Sequence, residues 1–230
     1  MSTFIVVGTG GIGSALSEQL SSIGHKVHVL SRQTSFGSNQ NISLHTITDI
    51  TQEGTELPTI EGPISGLIYC PGTINLRPFK ALKQVDFLHD LQVNYLGAIK
   101  CIQKYLPNLL QQEGSSITLF STVAVQKGMP FHASIAGAKG AIEGLTKSLA
   151  AEFAPKIRVN AIAPSLTQTP LADKLLNADT KLKAAEDRHP LKKVGSTLDM
   201  VKAVQFLIDS PWVSGQILAV DGGMSTLSNG

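Results

Sequence analysis

The sequence has little that would tie it to a special environment. Its two cysteines, Cys70 and Cys101, are too few for a disulfide framework and read as reduced thiols of a cytoplasmic protein. Charged residues make up only 16% and the net charge is +2, too near zero to attract a polyanion. The one basic pair, Lys192-Lys193, reads as a solvated loop, so nucleic acid is not an expected partner. The six histidines are scattered without metal-ligand spacing. No apolar run approaches the ~20 residues of a membrane-spanning helix, so no membrane is expected either. The apolar N-terminus lacks a basic leader and is needed as a first strand, which argues against a signal peptide. Internal repeats and low-complexity tracts are missing too. What remains is a globular composition, 42% hydrophobic over 230 residues, expected to form one domain spanning 1–230 around a three-layer core.

Against that plain background one stretch stands out: Gly8-Thr9-Gly10-Gly11-Ile12-Gly13. Before it runs Phe4-Ile5-Val6-Val7, apolar and rich in β-branched residues. After it Ile12, Ala15, Leu16, Leu20 and Ile23 recur at helical spacing. The glycines therefore sit at a strand-to-helix turn. Without Cβ atoms the backbone can approach a pyrophosphate closely, and the amides of the helix N-terminus face the anion.

The rest of the chain alternates. A first helix over 11–24 stops at Gly24. Strands are expected at 26–30, 42–47, 64–70, 116–120, 158–162 and 216–220. Residues 33–41 are polar and predict at most a turn, and 51–63 is irregular. A long helical periodicity covers 86–112, with Pro107 expected to kink or shorten its end. A helix rich in Ala and Gly covers 132–154, a mobile, partly helical insertion 166–191, and a helix capped by Ser196 or Thr197 covers 197–208. Strands alternating with helices imply an α/β fold: a doubly wound parallel sheet of about seven strands with helices on both faces. Ligands then bind at the strand C-terminal ends.

These residues resemble the short-chain dehydrogenase/reductase family over nearly the whole chain, which implies a Rossmann-type fold and a nicotinamide dinucleotide. The resemblance is carried by Lys139 through Pro164 (Arg158-Val159-Asn160-Ala161-Ile162-Ala163-Pro164 at its end) and by Ser214 through Gly223. Asn94 resembles the family's helix asparagine, and Asp49, with Ile50 beside it, its adenine-contacting aspartate. Cys70-Pro71-Gly72 stands where the family has Asn-Ala-Gly. Pro164 and Thr169 match its Pro-Gly-x-x-x-Thr segment, with Ser165 replacing the glycine. The implied cofactor residues are thus Gly8, Gly10, Gly11, Ile12, Gly13, Ser31, Arg32, Asp49, Ile50, Cys70, Pro71, Gly72, Lys139, Pro164 and Thr169.

Two departures bear on chemistry. The glycine turn is one residue shorter than the family's. More consequentially, the family's catalytic tyrosine lies four residues before the lysine, and here that position is Ile135. The resemblance carries over Asn94, Lys139 and a hydroxyl at Thr122, beside Ser121, but not the general acid. In the family's mechanism a tyrosine passes the proton, the lysine lowers its pKa and holds the ribose, and the serine hydroxyl polarises the carbonyl. Isoleucine cannot pass a proton. His132, one helical turn earlier, Tyr69, Tyr95 or a bound water are the replacements open at this stage. Thr122 reads equally as a carbonyl ligand or a strand-end turn residue. The expectation is an NAD(P)-dependent oxidoreductase acting on a small carbonyl or alcohol with an altered site. The alternative is a catalytically inactive NADP(H)-binding pseudoenzyme, a sensor or scaffold.

The end of the second strand reads Ser31-Arg32. No carboxylate is there to repel a 2′-phosphate, and a guanidinium fork is there to pair with it. NADP(H) is the expected cofactor, with NAD(H) left open. The family commonly pairs its two long helices across subunits, so a homodimer or homotetramer is expected.

Overall fold

The computed structural model describes residues 1–37, 39–52 and 54–227. Seven strands form one parallel sheet: β1 (Thr3–Val7), β2 (Lys26–Ser31), β3 (Ile42–Thr46), β4 (Gly66–Tyr69), β5 (Ser115–Phe120), β6 (Ile157–Pro164) and β7 (Ile217–Val220). Their order is β3-β2-β1-β4-β5-β6-β7. The order in which strands are added reverses at β1, between its neighbours β2 and β4, and a crevice opens at the C-terminal ends of β1 and β4. The central strands β1, β4 and β5 are buried almost throughout. That explains the apolar runs Phe4–Val7 of β1 and Leu67–Tyr69 of β4: a strand covered on both faces has no polar side to alternate with.

Helices cover both faces. On one lie α1 (Gly11–Ser22) and α8 (Thr197–Asp209), whose Leu16, Leu20, Met200, Val204 and Leu207 pack on Phe4, Val6, Val29 and Ile68. On the other lie α2 (Gln84–Leu91), α3 (Gly97–Leu110) and α5 (Ala133–Phe153), with Ile102, Tyr105, Leu109 and Ile142 against Ile5, Val7, Leu67 and Ile117. Short helices α4 (Ala124–Lys127), α6 (Asp173–Leu176) and α7 (Asp179–Arg188) line the C-terminal edge. Among the described residues no helix is long and apolar enough to cross a membrane.

The structure corrects the expected long helix at 86–112. It starts at Gln84 and is broken by a π-turn over Gln92–Leu96, which hydrophobic spacing alone does not reveal. Pro107 does not end it, since α3 runs on to Leu110. Ser196 does cap α8: its hydroxyl accepts from the Asp199 amide at 3.2 Å, and Asp199 accepts from the Ser196 amide at 2.8 Å. The other end of α8 is held by the buried Arg158, whose guanidinium donates to the carbonyls of Leu207 at 2.6 Å and Ile208 at 2.8 Å. A cation on the last carbonyls complements the helix dipole. The segment 33–41 carries no helix among its described residues.

Where the sheet is thinly covered, His28 Nδ1 and His45 Nε2 meet at 2.9 Å with their rings stacked. Burial holds both imidazoles below the usual histidine range, and for His28 the neighbouring His45 and Lys26 add to it. A depressed pKa means that the unfolded chain binds protons first as pH falls, so stability is full above the ordinary histidine pKa of about 6.5 and is lost below it. The urea midpoint is expected to drop between about pH 7.5 and 5.5, and to drop less in a His28→Gln, His45→Gln double variant. Equal pH slopes in the two proteins would show that the pair does not contribute.

Candidate active site

The glycine turn is built as the spacing requires. Gly8 has φ +87°, open to glycine at no cost. A Cβ on Gly13 would collide with the Gly8 carbonyl oxygen, while one on Gly10 would meet nothing within 4 Å. Gly13 is thus a packing glycine, and Gly10 faces open space. Helix α1 begins at Gly11 with no side-chain cap, so its first-turn amides are left for an anion. The shortened loop is pinned by Thr9 Oγ1 to Ser31 Oγ at 2.6 Å, which ties it to the end of β2. Gly11 packs under Pro170, Thr169 and Thr197, the nearest contacts being 3.0–3.3 Å from a built Cβ. This brings Thr169 over the turn.

Beyond Ser31, Arg32 is exposed and lies near Asp49, which it helps to hold below the usual carboxylate range. The larger causes there are the backbone and side-chain hydrogen bonds from Thr51. Ile50 packs partly buried against the core.

At the crevice floor lies Lys139. It is 7% exposed, and its Nζ donates to the Phe120 carbonyl at 2.8 Å. Burial pushes its pKa down to about 8, opposed by Cys70 and Asp90. Cys70, which abuts Gly13, is itself pushed up to about 12 by burial. At neutral pH it is therefore an uncharged thiol, and Asp90 is the anion that matters to the lysine. Asn94, fully buried on the π-turn, donates to Thr73 Oγ1 at 2.9 Å and to the Asp90 carbonyl at 2.8 Å, and its Oδ1 has no partner. Gly72 lies between these groups. A Cβ there would stand 3.3 Å from Asn94 Oδ1 and 3.6 Å from Lys139 Nζ. An orphaned buried acceptor and a buried ammonium thus converge on a space that only glycine leaves open. That is what a ribose hydroxyl, which both donates and accepts, would satisfy.

Above the floor is a cavity of about 350 Å³ lined mainly by apolar side chains, among them Ile74, Leu76, Val123, Met129, Leu166 and Leu175. Ile12, Cys70, Gly72, Thr122, Ile135, Lys139, Pro164 and Thr169 all reach it. Among the described residues no acidic side chain lines it. Thr122 Oγ1 accepts from the Ala124 amide at 3.3 Å, whereas Ser121, 2% exposed, donates to Glu143 Oε1 at 2.6 Å. His132 lines the cavity with Nδ1 2.7 Å from the Pro130 carbonyl.

Two expected acids are not brought here. Tyr69 does not face the crevice: it is 2% exposed and donates to the Val93 carbonyl at 2.6 Å, under the π-turn. Tyr95 packs against the core. Sequence reasoning missed Asp90, whose carboxylate accepts from Thr73 and Ser134 at 2.5 Å each. Its one signal is the four-residue spacing to Asn94.

The family model described as enoyl-(acyl carrier protein) reductase matches residues 7–225. The chain is a short-chain dehydrogenase/reductase. It is 31% identical to carbonyl reductase family member 4 of Danio rerio, over 99% of this chain and all of that one. It is 29% identical to the 3-oxoacyl-[acyl-carrier-protein] reductase of Rattus norvegicus, over 94% of each. Among solved structures it superposes on ElxO with NADP bound at a TM-score of 0.86 and 25% identity, covering 98% of this chain and 99% of that one. As a member of this oxidoreductase family the chain has a floor whose geometry fits a nicotinamide dinucleotide. If the space over Gly72 is the ribose site, Gly72→Ala should leave the thermal midpoint nearly unchanged and weaken dinucleotide binding at least about tenfold, the scale of one lost hydrogen bond to a charged group. Unchanged affinity by fluorescence titration would place the ribose elsewhere.

Proposed function

We propose that this protein moves a hydride between NADP(H) and a carbonyl or alcohol carbon carried on an apolar body, with Ile135 standing where its family has a tyrosine. The observation that carries this reading is the convergence of Lys139 Nζ and the orphaned Asn94 Oδ1 over Gly72, at the floor of an apolar cavity. The cavity's lack of carboxylates and its Ile, Leu, Val and Met walls suit a ketone better than a polyol or an amine. The name of the Danio rerio relative points the same way.

When bound, the dinucleotide supplies or accepts the hydride. The chain's own residues do the rest. Gly10 and the amides of α1 take the pyrophosphate, with Gly8, Gly11 and Gly13 shaping the turn and Ile12 at the cavity wall. Arg32 takes the 2′-phosphate, next to Ser31. Asp49 and Ile50 flank the adenine, and Cys70, Pro71, Gly72, Pro164 and Thr169 line the path of the ribose and nicotinamide. Lys139, with one hydrogen bond made to Phe120, has N–H groups left for the ribose. Asn94 accepts beside it. Thr122 presents a hydroxyl to the substrate carbonyl. Holding the two reactants oriented contributes about 7–11 kcal/mol, so the site works without a phenol at position 135, more slowly. A second reading, a cofactor-binding sensor or scaffold without turnover, is favoured by one observation: Ile135 is an apolar, 5% exposed wall residue with no proton to give.

A homodimer or homotetramer and a cytoplasmic setting belong to the same proposal. Val85, Leu88 and Leu96 are at least half exposed along α2 and the π-turn, and Gly137 and Gly144 of α5 have nothing within 4 Å of a built Cβ. These surfaces permit close helix pairing with a second copy.

Two outcomes test the reading. NADPH should bind more tightly than NADH, and Arg32→Asp should remove the difference, because a charge-assisted fork is replaced by a repelling carboxylate. Equal affinities in the native protein would reject the assignment. Ile135→Tyr should raise NADPH-dependent ketone reduction at least about tenfold, a cautious part of the 10²–10⁴ a positioned acid gives. Ile135→Phe should not, and NADPH affinity should hold in both. Native protein and both variants that bind NADPH tightly yet reduce nothing in a panel of alkyl and aryl ketones would favour the scaffold.

A further inference from the structure

A serine–histidine pair stands in the wall of the same cavity, where β6 ends. Ser165 Oγ and His189 Nε2 are 2.8 Å apart, and His189 Nδ1 is 2.7 Å from the Ala185 carbonyl. A carbonyl only accepts, so Nδ1 carries the hydrogen. Nε2 then has the lone pair, and the serine hydroxyl must donate to it. His189 is 2% exposed, so water does not compete for either bond. The hydroxyl is thus aimed at a base, with its own lone pairs left toward the cavity that both residues line along with Lys139, Thr122 and Ile135. Base-paired hydroxyls of this kind are activated groups.

We infer that Ser165 and His189 are the proton-transfer pair of this site; the inference rests on the oxidoreductase reading above. In alcohol oxidation the substrate O–H proton passes to Ser165 Oγ, and the proton of Ser165 passes to His189 Nε2. The carbon's hydride goes to the oxidised nicotinamide. One alcohol and one oxidised dinucleotide give one ketone, one reduced dinucleotide and one imidazolium. Reduction runs the same steps backward from the imidazolium. Several titratable groups lie around the cavities that the imidazole lines. They are Asp221 after β7, Lys193 and Asp199 around a second cavity of about 150 Å³ that His189 also lines, and Arg188, Lys139 and His132 around the first. Asp221 is tied down by hydrogen bonds from Gly223 and Ser225, which fixes a carboxylate near the imidazolium as it forms. His132 shares the cavity, but its ring is linked to a backbone carbonyl and to no buried hydroxyl.

The test uses the full chain with NADP(H), a panel of alkyl and aryl ketones, and their alcohols. Ser165→Ala and His189→Gln should each lower kcat about 10²-fold, the low end of the general acid–base range, with KM and NADPH affinity within about threefold. Ser165→Thr, which keeps the hydroxyl, should recover most of the rate. Native oxidation should rise with pH and native reduction fall, since one step takes up a proton and the other gives it; both profiles should flatten in His189→Gln. Nitrogen NMR of labelled histidine in the protein without substrate should show an Nδ1–H tautomer whose signals are lost in the His189 variant and kept in His132→Gln. That readout and Ser165→Ala carry the test if His189→Gln does not fold. Rates held within about threefold in either variant, or lost only in His132→Gln, overturn the pair. A native protein that binds NADPH and turns over nothing overturns the oxidoreductase reading and the pair together, an outcome distinct from an active native protein with active variants.

Discussion

A buried ammonium held by one carbonyl governs this site. Lys139 lies beneath the crevice with Phe120 as its acceptor, and a charge so placed costs free energy unless more partners arrive. Burial lowers its pKa to about 8, so the cation persists at neutral pH but is poorly compensated. Everything close by reads as an answer to that. Asp90 supplies a nearby negative charge, Cys70 stays an uncharged thiol, and Gly72 keeps clear the one direction from which an acceptor can come. A ligand with hydroxyls fits that direction because it offers the lysine acceptors and Asn94 Oδ1 a donor.

The geometry is held by a network that the helix itself creates. The π-turn at Gln92–Leu96 shifts the backbone register inside what would be one long helix. Such insertions cluster at functional sites because they re-aim a residue without ending the helix. Here the shift places Asn94 toward Gly72, and Tyr69 takes up the Val93 carbonyl from below. Gly97 is what allows it: a Cβ there would collide with the Tyr69 hydroxyl. Thr73 and Ser134 both donate to Asp90, joining the β4 loop, α2 and the start of α5 through one carboxylate.

What the sequence revealed followed its periodicities. Alternating strands and helices, the glycine turn and the Ser196 cap were legible because each is a local pattern with a local cause. The resemblance placed Asn94, Lys139 and Thr122, and the fold brings Lys139 and Thr122 to one cavity with Asn94 just beneath. The π-turn left only a faint trace: Phe87 and Leu91, then Leu96 and Ile99, keep helical spacing, and the single five-residue step from Leu91 to Leu96 is easily passed over in a long periodic run. Tyr69 was misjudged because its place at a strand end does not say whether the ring opens to the crevice or tucks under the helix, where its hydroxyl finds the Val93 carbonyl. Asp90 was hidden because a carboxylate on a helix usually faces solvent. Ser165 was visible only as a lost glycine, and its partner His189 lies 24 residues away, a separation that no local pattern encodes.

Two substitutions then form one argument. At position 135 an apolar side chain fills the wall where the family would supply a phenol, and at position 165 a hydroxyl appears where the family has only backbone. The proposed pair would move the acid from α5 to the end of β6, and that changes which group tunes it. A phenol beside Lys139 has its pKa lowered by the cation, whereas Ser165 depends on His189, a base that can itself take and release the proton. On the proposed reading Lys139 loses a catalytic partner but keeps the ribose, a reason for the lysine to stay when the tyrosine goes. Orientation contributes more than proton transfer, about 7–11 kcal/mol against a factor of 10²–10⁴. On the proposed reading, a site that keeps the lysine, the asparagine and the glycine turn would retain the larger part of its advantage while its acid changes place.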